Sequence, residues 1–157
     1  KESDLGAKFE DVTKQLFESL QFEVSDELKK SINTNRDKAD IIIKISENEV
    51  VIVECKTAKE TSYSKYSAVS RQLKSYESIC EKKGLRVLQT MVVAPEFSDG
   101  FVDECEYDAE LNTSLLSARG LLEISKRFKK SKLSDFPIRL FMKGGKLNYE
   151  RIGQALS

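Results

Sequence analysis

Two β-branched runs constrain this chain more than any other feature. Ile41-Ile42-Ile43 lies within the segment Asp40–Ile45, and Val50-Val51-Ile52-Val53 opens the segment Val50–Lys56. Branching at Cβ restricts rotamers in a helix and packs well on a pleated surface, so both segments predict strands. Between them, Ser46-Glu47-Asn48-Glu49 has the length and chemistry of a hairpin turn. The charges sit at one end: Asp40 begins the first strand, and Glu54 and Lys56 close the second. With a three-residue loop, 47–49, Ser46 pairs with Val50 and Asp40 lies opposite Lys56. Asp40, Glu54 and Lys56 then project to one face, at the end away from the turn. A two-residue loop sends Asp40 to the other face unless a bulge restores the parity. Any reading that unites the trio therefore needs an odd loop or a bulge.

The remaining segments supply layers for that hairpin. Leu5, Phe9, Val12, Leu16 and Leu20 recur at helical spacing, with Asp4 as N-cap, and Phe22-Glu23-Val24 reads as a short strand. Residues 33–38 form a polar break. After a hydroxyl-rich loop, Thr57–Ser67, a helix runs from Ala68 to Lys83 and stops at Gly84. Val87–Ala94 predicts a buried central strand closed by Pro95. Glu96–Glu110 holds seven acids and no base, and reads as a solvated loop or helix. A strand over 111–117, a helix over 119–130, a strand over Pro137–Met142, a turn over Lys143–Lys146 and a helix over Leu147–Leu156 complete the chain. This order predicts an α/β sandwich around a central mixed sheet.

Composition narrows the chemistry. The 157 residues include no histidine, which excludes Ser-His-Asp and Cys-His catalysis and His-ligated zinc. Reactions run on carboxylates, lysines, backbone groups or an oxygen-ligated metal remain. Cys55, Cys80 and Cys105 lack CxxC spacing and are odd in number, which argues against a disulfide framework and points to a reducing, cytoplasmic setting. No apolar run exceeds four residues, so a membrane span and a signal peptide are not expected. The length suits one domain, residues 1–157, and the start at Lys1 suggests a fragment of a larger protein.

Two readings of the trio follow from its chemistry. Charged residues often line strand ends as exposed ion pairs. Alternatively, Asp40, Glu54 and the carbonyl of Cys55 are oxygen ligands for Mg²⁺, and Lys56 orients a metal-bound water or stabilises charge developing on a phosphate. The Cys55 side chain, on the opposite face, reads as core packing. Gln72 falls within the inward stripe Val69, Leu73, Tyr76, Ile79 and Cys80, where an amide needs a polar partner such as an active site or a backbone group at the core margin. Lys59 and Lys65 are candidate contacts to a phosphate backbone. So is Arg119, which opens a stretch, 119–146, with nine bases, two acids and a net charge of +7. Its bland reading is a solvated face whose cations complement a helix C-terminus.

Asp40, thirteen residues, Glu54-Cys55-Lys56, then Gln72-Leu73 and Tyr76 on the next helix resemble the PD-(D/E)xK nuclease superfamily. Gly6-Ala7-Lys8-Phe9-Glu10-Asp11-Val12 is similar to its first helix. Met91-Val92-Val93-Ala94 with Phe97, Leu115-Leu116-Ser117-Ala118 and Lys143-Gly144-Gly145-Lys146-Leu147 extend the likeness, over roughly residues 30–156, to cleavage domains of FokI-like type IIS restriction endonucleases. The resemblance implies a restriction-endonuclease-like αβα sandwich and Mg²⁺-dependent hydrolysis of double-stranded DNA, with Mn²⁺ able to substitute. It implies Asp40 and Glu54 as metal ligands, Lys56 as the catalytic lysine and Glu10 as a further acid. It also implies a homodimer for double-strand cleavage and a separate DNA-recognition domain. Ala39 stands where the family name has proline. The same core also serves repair and junction resolution, and an inactive DNA-binding or dimerisation module is the reading outside enzymes.

Overall fold

A computed structural model describes residues 2–34, 38–62 and 66–157. The hairpin is present as β2 (Ile41–Ser46) and β3 (Glu49–Cys55), but in a different register from the expected one. Only Glu47 and Asn48 form the turn, so Ser46 pairs with Glu49. Ile45 is bulged, after which Lys44 pairs with Val50 and Ile41 with Val53. One step further, Asp40 comes opposite Glu54 rather than Lys56. The bulge restores the parity that a two-residue loop removes, and the trio keeps its shared end.

The strand β1 (Glu23–Val24) flanks β2, and both hairpin pairings are antiparallel. On the other side β4 (Arg86–Ala94), β5 (Ser114–Ser117) and β6 (Gly145–Lys146) continue the sheet in parallel. The result is a mixed six-stranded sheet in the order β1 to β6. Alternate side chains of β3 enter two cores. Val50 and Ile52 meet Val69, Leu73 and Tyr76 of α4 (Tyr66–Lys82) and Phe101 of α5 (Asp99–Glu106), with Ile32 of α2 (Asp26–Ile32). Val51 and Val53 meet Phe17, in the last turn of α1 (Glu2–Ser19), Leu20 just after it, and Leu121 and Ile124 of α6 (Ala118–Lys130), with Ile152 of α7 (Tyr149–Ala155). Because helices cover both faces, β3 reads as an unbroken apolar run instead of an alternating one. The α/β sandwich expected from the element order is the observed fold.

Several local expectations need correction. Asp4 lies inside α1 rather than capping it, and Leu5 and Val12 are exposed, while Phe17 and Thr13 are buried. Helix α2 is an element the sequence reading lacked, although Ser25 caps it by accepting from the Leu28 N–H. Pro137–Met142 is not a strand: residues Ile138–Leu140 form a 3₁₀ turn. That turn brings Phe136 and Phe141 together as a stacked pair, 4.5 Å between ring centroids, on the α1 and α6 side of the sheet. The final strand is instead Gly145–Lys146, where a turn was expected, with the Gly145 N–H donating to Thr113 O. Gly84 does end α4, at φ +78°, and the Leu85 N–H returns to Cys80 O. Among the described residues no helix is long and apolar enough to cross a membrane.

Candidate active site

The trio sits where the ladder between β2 and β3 ends. There the two carboxylates take over the backbone pairing. The Asp40 N–H donates to Glu54 Oε1 at 3.1 Å, and the Cys55 N–H donates to Asp40 Oδ2 at 2.8 Å. Chain direction continues in the parallel half of the sheet, where the Lys56 N–H donates to Val93 O at 2.9 Å. Backbone donors thus orient both acids at the carboxyl edge of the parallel strands, the edge at which open α/β sheets bind ligands.

Burial dominates the electrostatics here. Glu54 is only 2% exposed, and loss of water, followed by the nearby Asp40 charge, pushes its carboxyl up to about 8. Asp40 is pushed up to about 6, first by burial; the Cys55 N–H opposes this, and a hydrogen bond with Glu10 of α1 adds to it. Glu10 also lies 3.6 Å from Lys29 Nζ. Acids crowded in this way do not ionise together without a compensating cation. Hard oxygen donors and excess negative charge fit a divalent ion such as Mg²⁺. Among the described residues no three acidic or cysteine side chains gather as a metal-binding group, so the donor set would be two carboxylates completed by the Cys55 carbonyl. The Cys55 side chain turns into the α1 side of the core, where burial pushes its thiol up, well above the usual range.

Lys56 is held from three sides. Its Nζ donates to Gln72 Oε1 at 3.2 Å and lies 3.7 Å from both Glu54 Oε2 and Glu60 Oε2. Gln72 is exposed rather than inward: Val69, Leu73 and Tyr76 occupy the buried face of α4, and Gln72 stands at its margin. It still meets Lys56 at the sheet edge, the kind of polar partner that an inward amide was expected to need. Glu60 was missed. It belongs to α3 (Ala58–Thr61), inside the stretch read as a loop, and Thr57 and Glu60 form a reciprocal capping box. The Thr57-Ala58-Lys59-Glu60 spacing is the signal that would have revealed both. Beside Lys56 opens a cleft of about 580 Å³ lined also by Glu60, Val69, Arg71, Gln72 and Ser75.

The candidate phosphate contacts separate. Lys59 is exposed on α3, and Lys65 lies outside the described residues. Arg119 is exposed in the first turn of α6, directly after β5, and so lies at the same sheet edge as Lys56. Lys146 ends β6 at that edge. Arg127, Lys129 and Lys130 instead occupy the last turn of α6, after the helix has carried the chain back across the sheet. These three of the nine bases therefore serve a helix C-terminus, the blander of the two readings.

No curated protein matches the chain. A family model described as FokI, cleavage domain, matches residues 1–147 of the 157. The match contains all six strands and the whole acidic edge. With a restriction-endonuclease-like sandwich built around that edge, this chain belongs to the FokI cleavage-domain family of restriction-enzyme nucleases.

Proposed function

We propose that the chain hydrolyses phosphodiester bonds of double-stranded DNA at the β3 edge, as a Mg²⁺-dependent endodeoxyribonuclease. The observation that carries this reading is the convergence of two buried, hard-to-ionise carboxylates with one lysine beside an open cleft. Asp40, Glu54 and the Cys55 carbonyl would hold the ion, which supplies Lewis-acid charge at the reacting phosphate. Lys56 stabilises negative charge developing on the phosphate oxygens, and Gln72 fixes the direction of its ammonium. Glu10 adds negative charge beside Asp40 and so strengthens the attraction for a cation. Arg119, at the same sheet edge, and Lys59, on α3, hold the DNA backbone. Cutting both strands takes two such sites, so two copies act together through the outer face of α4, and a separate domain reads sequence.

Plasmid cleavage with and without Mg²⁺ tests this. Asp40→Ala and Lys56→Ala are each expected to lower the rate by about 10²–10⁴-fold. Equal cutting by wild type and both variants would remove the assignment. A wild type that binds DNA and never cuts would leave a binding module. Rates strictly first order in protein would count against the paired copies.

A further inference from the structure

The backbone that delivers Asp40 is held by side chains rather than by a strand. Asn33, the residue that ends α2, turns its carboxamide onto Ala39: the Ala39 N–H donates to Asn33 Oδ1 at 2.9 Å, and Asn33 Nδ2 donates to Ala39 O at 3.4 Å. One carboxamide thus satisfies both polar groups of a residue that is only 1% exposed. On the preceding peptide, Lys38 O accepts from the Tyr76 hydroxyl at 2.6 Å. The next N–H, that of Asp40, goes to Glu54.

The helix bearing Asn33 is itself anchored at both ends. The Ser25 N–H, just before α2, donates to Ile42 O of β2 at 2.9 Å, and Ile32, its last residue, is buried in the core under α4. The Asn33 N–H donates to Lys29 O, which closes the helix and aims the side chain. Ile42 of β2 and the two polar groups of Ala39 are therefore referred to one short helix. A carboxylate held this way loses less freedom when it engages a substrate or ion.

We infer that Asn33 is a positioning residue for Asp40: it acts through Ala39 and sets where the carboxylate stands at the sheet edge. The inference rests on the cleavage reading for its effect on rate, but not for its effect on the backbone. Asn33→Ala removes both bonds, whereas Asn33→Asp keeps the acceptor and loses the donor. Amide hydrogen exchange on the metal-free protein should show Ala39 and Asp40 exchanging at least about tenfold faster in Asn33→Ala, with the amides of β4 unchanged and Asn33→Asp intermediate. Single-turnover plasmid cleavage with Mg²⁺ should fall about 10–100-fold in Asn33→Ala, less in Asn33→Asp, with DNA affinity within about twofold of wild type.

Unchanged exchange at Ala39 and Asp40 overturns the inference. So does faster exchange with an unchanged cleavage rate, which would make the contact purely structural. A loss carried entirely by DNA affinity overturns it too. If the wild type does not cut, the cleavage reading fails, and exchange alone decides whether Asn33 holds Asp40.

Discussion

Glu54 carries an ionisable group almost out of reach of water, and this sets a measurable pH dependence. Its folded-state carboxyl titrates at about 8 against an ordinary 4.5, and that of Asp40 at about 6 against 3.8. Between the lower and upper values the folded protein keeps protons that the unfolded chain releases, so stability falls as pH rises through the window. Denaturant titrations of metal-free protein should show this decline between about pH 4 and pH 8. Glu54→Gln should flatten it, gaining roughly 1–3 kcal/mol at pH 8.5 while losing cleavage. A variant that tracks wild type at every pH would contradict the burial account. Gln21 is a second residue-scale case. It adopts φ +72° to end α1, with its N–H on Glu18 O and the Phe22 N–H on Phe17 O, a position in which glycine has no Cβ to clash. Gln21→Gly is expected to add about 0.5–1 kcal/mol and to raise Tm by about 1–3 °C, with cleavage unchanged.

At the scale of elements, α3 is a single turn held at its start by its capping box and at its end by buried Thr61, whose hydroxyl donates to Glu96 O and whose carbonyl accepts from the Ser98 N–H. Thr57→Ala is expected to cost about 0.5–2 kcal/mol by equilibrium unfolding and to lower the cleavage rate, because Glu60 then loses its hold beside Lys56. Thr57→Ser should restore both, and loss of stability without loss of rate would detach Glu60 from Lys56. The long elements were legible because their patterns are strong: branched runs for β2 and β3, a buried run for β4, a glycine stop for α4. Short ones were not. The seven residues of α2 carry too little periodicity to stand out, and Ser25 is an N-cap visible only in hindsight. Pro137–Met142 misled because its apolar alternation matches a strand, although Pro137 lacks a donor for a ladder and the two phenylalanines pack best across a turn.

Across the whole molecule, charge position matters more than the net charge of zero. Arg119 and Lys146 stand at the carboxyl edge with Lys56, while Arg127, Lys129 and Lys130 end α6 on the far side. Neutralising the first pair should weaken DNA binding at 100 mM salt and lower the slope of log Kd against log salt by about 1 per lost contact. Replacing the far three with glutamine should leave that slope unchanged. Equal effects from both sets would mean that DNA is held by diffuse attraction rather than at this edge.

The sequence alone determined that the two branched runs and the Val87–Ala94 run form strands, and which carboxylates and lysine crowd one hairpin end, because these depend on side-chain shape and a period of two. It also carried the likeness that places the chain among nucleases. Tertiary structure decided the rest. Whether Asp40 shares a face with Glu54 turned on one bulged residue, Ile45, whose conformation no local propensity dictates. Lys56 acquires its neighbours, Gln72 and Glu60, and Ala39 acquires Asn33, only when α3, α4 and α2 pack against the sheet. Contacts between elements depend on how helices settle over the strands, and so they become visible only in the folded molecule.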